Sequence, residues 1–119
     1  MDVKKYKQQI KEKVIIPLKE EIKELRFSCH YSYLDVWDCM LYLTWYIKKL
    51  NKIKNPSDDK ILKVVKWVVL GLNKLHKRTK CNMIQTDIRE EICEIIQSSA
   101  IECGLKNYDE DITEEWREW

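Results

Sequence analysis

Asp35 and Asp38, three residues apart with Cys29 and His30 just upstream, come nearest in this sequence to a catalytic or metal-binding cluster. Two carboxylates on one helical face could divide general acid and base work, or share a cation. The plainer reading is a solvated or ion-paired helix start, since acids are stabilised near the positive end of a helix dipole. That is the reading we expect. Cys29, His30, His76 and Cys81 are zinc-compatible in type, but no C-x-x-C or H-x-x-x-H spacing joins them. A cysteine nucleophile with a histidine base could be drawn from Cys29 or Cys81, yet no orienting motif accompanies either. Phosphate-cradling loops need several glycines, and Gly71 and Gly104 are the only two. Di-metal carboxylate bundles need E-x-x-H pairs, whereas Phe27 and Asn73 stand three residues before the two histidines. The expectation is therefore no catalytic residue, no cofactor, no metal and no enzyme. Tyr42, Trp45 and Tyr46 carry polar handles that could line a pocket, although core and rim aromatics commonly show this spacing.

Charge is distributed unevenly. Residues 1–80 hold 19 Lys/Arg against 9 Asp/Glu, and residues 81–119 hold 3 against 11, so the two parts carry +10 and −8. Lysines of the first helix and of KLHKRTK, residues 74–80, could meet phosphate backbones. Against that, KLHKRTK sits at a helix C-terminus, where cations answer the dipole, and lies close in sequence to acidic helix four. The acidic end sets Asp109, Glu110, Asp111, Glu114, Glu115 and Glu118 around Ile112, Trp116 and Trp119. Carboxylates with tryptophan anchors suit a surface that steers and grips a basic partner. They would serve as well in a structural clasp.

The elements that must position these groups are helices. Two glycines and two prolines in 119 residues leave too few turn signals for an all-β chain, and the length suits one domain, residues 1–119. The predicted fold is an all-α bundle of four main helices with a short docked C-terminal turn or helix. Helix one, about residues 2–26, carries Val3, Tyr6, Ile10, Val14, Leu18, Ile22 and Leu25 as its core stripe, and Pro17 predicts a kink or break near Val14 to Pro17. Ser32 and Asp35 form a capping-box pattern before helix two, residues 33–50, which is apolar on several sides and predicted to be the buried centre. Ser57 caps helix three, which runs to about Thr79 and turns Trp67 and Leu70 away from its main apolar face. Helix four begins after Thr86 as N-cap and stops at Gly104 with Leu105 as its hydrophobic contact, while Ser99 predicts a close crossing. The tail, capped at Thr113, is expected to lay Ile112, Trp116 and Trp119 on Trp67 and Leu70. The charged N-terminus has no apolar h-region, and Lys63 and Lys66 interrupt the longest apolar stretch. A cytoplasmic protein with five reduced thiols and no membrane segment is expected.

IQTDIREEICEIIQSSAIECGL followed by DEDITEEWREW resembles the C-terminal signature of a widespread family of small, functionally uncharacterised bacterial proteins. The likeness covers about a third of the chain. Such proteins are loosely associated with immunity proteins that neutralise polymorphic or contact-dependent toxins, often nucleases. The resemblance implies a toxin domain as cognate partner and supplies no catalytic residue. Joined to the charge pattern, it gives the expected function: a non-enzymatic, immunity-type inhibitor binding through Asp109, Glu110, Asp111, Glu114, Glu115, Trp116, Glu118 and Trp119. Two alternatives stand beside it. One is a nucleic-acid-binding helical domain using the basic N-terminal two-thirds, and the other a small Cys/His metal-binding protein. Oligomeric state is open.

Overall fold

A computed structural model describes residues 1–108 and 110–119; those described hold helices and no strand. The first helical rod runs unbroken through α1 (Val3–Ile10), a π-helical segment (Lys11–Ile15) and α2 (Ile16–Leu25). Then come α3 (Tyr33–Asn51), α4 (Asp58–Arg78) and α5 (Thr86–Cys103). The bundle of four rods and a docked tail is as expected. One continuous core joins Tyr6, Ile10, Val14 and Leu18 to Leu43, Ile47, Val65, Leu72, Ile92 and Ile96. No helix is long and apolar enough to cross a membrane, among the described residues.

Pro17 does not break the rod. Tyr6, Ile10, Val14, Leu18 and Ile22 repeat every four residues, about 40° per step more than an α-helical turn returns. A π turn, with its wider hydrogen-bonded ring, takes up this excess and keeps the stripe on the core. The Ile16 N–H accordingly donates to the Lys11 carbonyl, and Ile15 is buried as well. The same widening lies where the proline ring would crowd the carbonyl four residues earlier.

Each boundary has a local cause. The Ser32 N–H donates to Asp35 at 2.9 Å, completing the capping pattern at the start of α3. Ser57 Oγ accepts from the Lys60 N–H at 3.3 Å. Thr86 is the first helical residue of α5 rather than its N-cap; Gln85 takes the cap position without a side-chain bond, and its amide reaches back to the Cys81 carbonyl instead. At the other end the Leu105 N–H donates to the Ala100 carbonyl, Gly104 adopts φ +123°, and Leu105 is buried.

Helix crossings use small and hydroxyl groups. Ser99 is fully buried, donating to the Ile95 carbonyl, and its oxygen lies 3.2 Å from Tyr46 Oη of α3, which donates to the Ile96 carbonyl. Tyr42 lies over Gly71, where a Cβ would come within 2.4 Å of its ring. Helix α3 touches every other rod but is not enclosed, contrary to the sequence expectation. Leu34, Trp37 and Trp45 are 77%, 57% and 49% exposed. Its apolar residues exceed what three neighbouring helices can cover.

Candidate functional site

The chain after Leu105 folds back along α4 and α5. Asp58, at the start of α4, accepts from the backbone N–H groups of Lys106 and Asn107 and from the Asn107 side chain, at 2.9–3.0 Å. The Lys106 backbone bond, helped by those from Asn107, holds its carboxyl below the usual range, with desolvation opposing them. Further on, buried Asn73 uses both ends of its amide. Its Nδ2 donates to the Trp116 carbonyl at 2.7 Å, and its Oδ1 accepts from the Glu118 N–H at 3.0 Å. From α5, Gln97 Oε1 accepts from the Ile112 N–H, and Cys93 Sγ lies 3.6 Å from Thr113 Oγ1.

The segment also closes on itself. Asp111, not Thr113, caps the turn: its Oδ1 accepts from the Thr113 N–H at 2.9 Å and from the Thr113 hydroxyl at 2.5 Å. Its Oδ2 meets Arg117 Nη2 at 2.9 Å, Arg117 Nη1 donates to the Trp119 carbonyl, and the guanidinium stands 5.4 Å from the Trp119 ring centre. Burial works against the Asp111 charge, but the Thr113 hydroxyl and amide, with Arg117, outweigh it and keep the carboxyl below its ordinary value. Ile112, Thr113 and Trp119 are buried and Trp116 is half-buried. The tail is therefore docked, but on the Asn73 side of α4. Trp67 instead meets Tyr42 edge-on at 5.9 Å under Lys49, and Leu70 stays 40% exposed.

Between this clasp and α4 opens a shallow cleft of about 360 Å³. Leu62, Tyr108, Ile112 and Trp116 supply its apolar wall, and Asp111, Glu114 and Glu115 its acidic side. Asp111 is occupied by Arg117, whereas Glu114 and Glu115 are exposed. Glu110 is exposed too, and Glu118 lies 3.7 Å from Lys77. Of the residues expected to bind a partner, Asp111, Glu114, Glu115 and Trp116 thus share one cleft. Trp119 is spent on the core, and Asp109 lies outside the described residues. Leu62, Asn107 and Tyr108 were not foreseen, because their sequence neighbours give no sign of which face the tail will cover. Asn73 offered a signal: an amide inside the apolar run VVLGLNKL needs partners, and the tail supplies them.

The other candidate clusters have ordinary partners. Arg78 bridges Asp35 (2.7 Å) and Asp38 (2.6 Å), which makes them the ion-paired helix start. His76 is buried beside the tail; burial lowers its pKa, with the Glu118 charge opposing. Cys29 is half-buried, while His30 and Cys81 are exposed. Among the described residues no three His, Cys, Asp or Glu side chains gather as a metal would require. Comparison of the chain with protein-family models, with curated proteins and with solved structures finds no match.

Proposed function

We propose that this chain is a non-enzymatic protein-binding module, an immunity-type inhibitor that neutralises a bacterial toxin by receiving a basic segment of it in the cleft of Tyr108, Trp116, Glu114 and Glu115. The observation that carries this reading is the anchoring of the chain on both sides of that cleft. Asp58, Asn73 and the Asp111–Arg117 pair fix the backbone on both sides of it, so two free carboxylates and two aromatic rings are already in place before a partner arrives. An arginine or lysine side chain fits such a site through charge and through the ring faces. Little ordering is then needed on binding. A nuclease toxin, whose own substrate demands a basic cleft, is the partner class that this chemistry suits best.

The test begins with the polypeptide encoded next to this chain's own gene. Expressed alone it should arrest growth, and co-expression of this chain should restore it through a complex recovered on purification. Glu114→Lys combined with Glu115→Lys should abolish rescue while leaving the thermal unfolding midpoint within a few degrees of the parent's. Undiminished rescue by that folded double variant would overturn the assignment of the cleft. A neighbouring product without toxicity, and without affinity for this chain, would overturn the toxin reading.

A further inference from the structure

A second surface lies on α3 and α4, away from the clasp. Leu34, Trp37, Leu41 and Trp45 occur at steps of three, four and four along α3, which places them in one row. Three of them are exposed, and Leu41 is half-buried beside a groove of about 260 Å³ that it lines with Asp38, Tyr42 and Trp45. Such a row has no place on a solvated helix unless something covers it. Exposed tryptophans are also the side chains that carry the most energy in protein contacts.

The neighbouring helix supplies the charge. The contacts of Tyr42 with Gly71 and Trp67, and of Asp35 and Asp38 with Arg78, show α3 and α4 antiparallel and in register. Both helices turn Leu43, Ile47, Val68 and Leu72 to the core on one side of this seam. Helical geometry then puts Leu41 and Trp45 of α3, with Leu70 of α4, on the opposite side. Lys63, Lys66 and Lys74 follow the same outer side of α4 at steps of three and eight, and all three are exposed; Lys77, beyond them, pairs with Glu118 of the clasp. Arg78 bridges both Asp35 and Asp38, so that trio leaves about one negative charge against the exposed lysines. The result is an apolar aromatic row about 16 Å long beside a lysine row of about the same length.

We propose that this face is a docking groove for an acidic amphipathic helix of a partner protein, with its apolar row in the Leu41–Trp45 groove and its carboxylates over Lys63, Lys66 and Lys74. About three helical turns would span the aromatic row, the usual length for a helix laid in a groove. A protein helix suits the surface better than a membrane, since a bilayer would press hydrocarbon onto the ion-paired Asp38 in the groove. Nucleic acid would leave Leu34 and Leu41 without a counterpart. This site is separate from the acidic cleft and does not depend on it.

The test uses a synthetic 15-residue helical peptide with leucines at steps of three and four and glutamates along one flank. A same-composition peptide with scrambled order is the control. Titration into the full chain should perturb the indole signals of Trp37 and Trp45, with affinity falling at least tenfold between low and moderate salt. Trp37→Ala with Trp45→Ala, and separately Lys66→Glu with Lys74→Glu, should each weaken binding tenfold or more at unchanged unfolding midpoint. Glu114→Lys with Glu115→Lys should leave it unchanged, which separates this surface from the cleft. Equal binding of the scrambled peptide, or no effect of the tryptophan pair, would overturn the proposal. So would stronger perturbation of the same indoles by anionic phospholipid vesicles or a 20-base-pair DNA duplex. Sedimentation showing a dimer that Trp37→Asp dissociates would assign the face to a second copy, and would overturn it as well.

Discussion

Trp119 and Trp116 stand three residues apart in an acidic segment and do different work. Trp119 is 6% exposed and stacked under Arg117; Trp116 is half-buried at the cleft wall. Removing a buried tryptophan costs about 3–5 kcal/mol when the site cannot collapse. Trp119→Ala should therefore destabilise by about 3 kcal/mol, somewhat offset because its indole N–H finds no acceptor among the described residues. Trp116→Ala should cost roughly half as much by lost area. Urea unfolding of the two variants checks the order, and a larger loss at Trp116 would show that the clasp is held from its outer side. Cysteine reactivity follows burial in the same way. The Cys39 thiol is fully buried and pushed up to about 12, whereas Cys81 is exposed. Alkylation of the native protein should label Cys81 first and Cys39 last, read by mass spectrometry over time. The sequence announced the buried tryptophan as a possibility through its spacing with Ile112. Which tryptophan goes in was not legible, because the alternation depends on where Asn73 catches the backbone.

Elements were legible where one helix face or one cap decides them. Ser57, Gly104 and the Ser32–Asp35 pair mark their boundaries by local chemistry, and the structure follows them. The Pro17 region was only half legible: the disturbance was expected, but its form depends on a four-residue repeat that needs unwinding rather than bending. Least legible was the surface of α3, whose apolar residues exceed its packing needs, so composition pointed to burial where exposure is found. The α3–α4 crossing carries its own prediction. A methyl group at Gly71 would meet the Tyr42 ring at 2.4–2.7 Å, well inside contact distance. Gly71→Ala should cost about 1–3 kcal/mol, overpacking outweighing the helix propensity that alanine brings. Combining it with Tyr42→Ala should recover part of that loss. A neutral or stabilising Gly71→Ala, measured by denaturant unfolding, would show that the ring moves aside freely.

Across the whole molecule the carboxyls that tie distant segments together push in one direction. Asp58 and Asp111 have carboxyl pKa values lowered in the fold, Asp58 by the backbone bonds from Lys106 and Asn107 and Asp111 by Thr113 and Arg117 against burial. Glu102 is likewise lowered, first by its bond from Tyr6 and then by the Asp2 N–H. A depressed carboxyl stabilises the fold above its unfolded pKa and ceases to do so as pH falls through the folded one. His76 acts in the same sense from a different range. Burial lowers its pKa in the fold, with Glu118 opposing, so the unfolded chain takes up a proton first as pH drops below about 6.5. Stability should therefore fall in two stages on acidification. A shallow decline between pH 7.5 and 5.5 belongs to His76, and a steeper one below about pH 4 belongs to the three carboxyls. His76→Gln should flatten the first stage and leave the second, while Asp111→Asn should lower stability at neutral pH and reduce the second. Urea unfolding at four pH values between 7.5 and 3 resolves the stages. A parent protein equally stable at 7.5 and 5.5 would mean that His76 takes its proton inside the fold as readily as outside, with Glu118 cancelling the cost of burial.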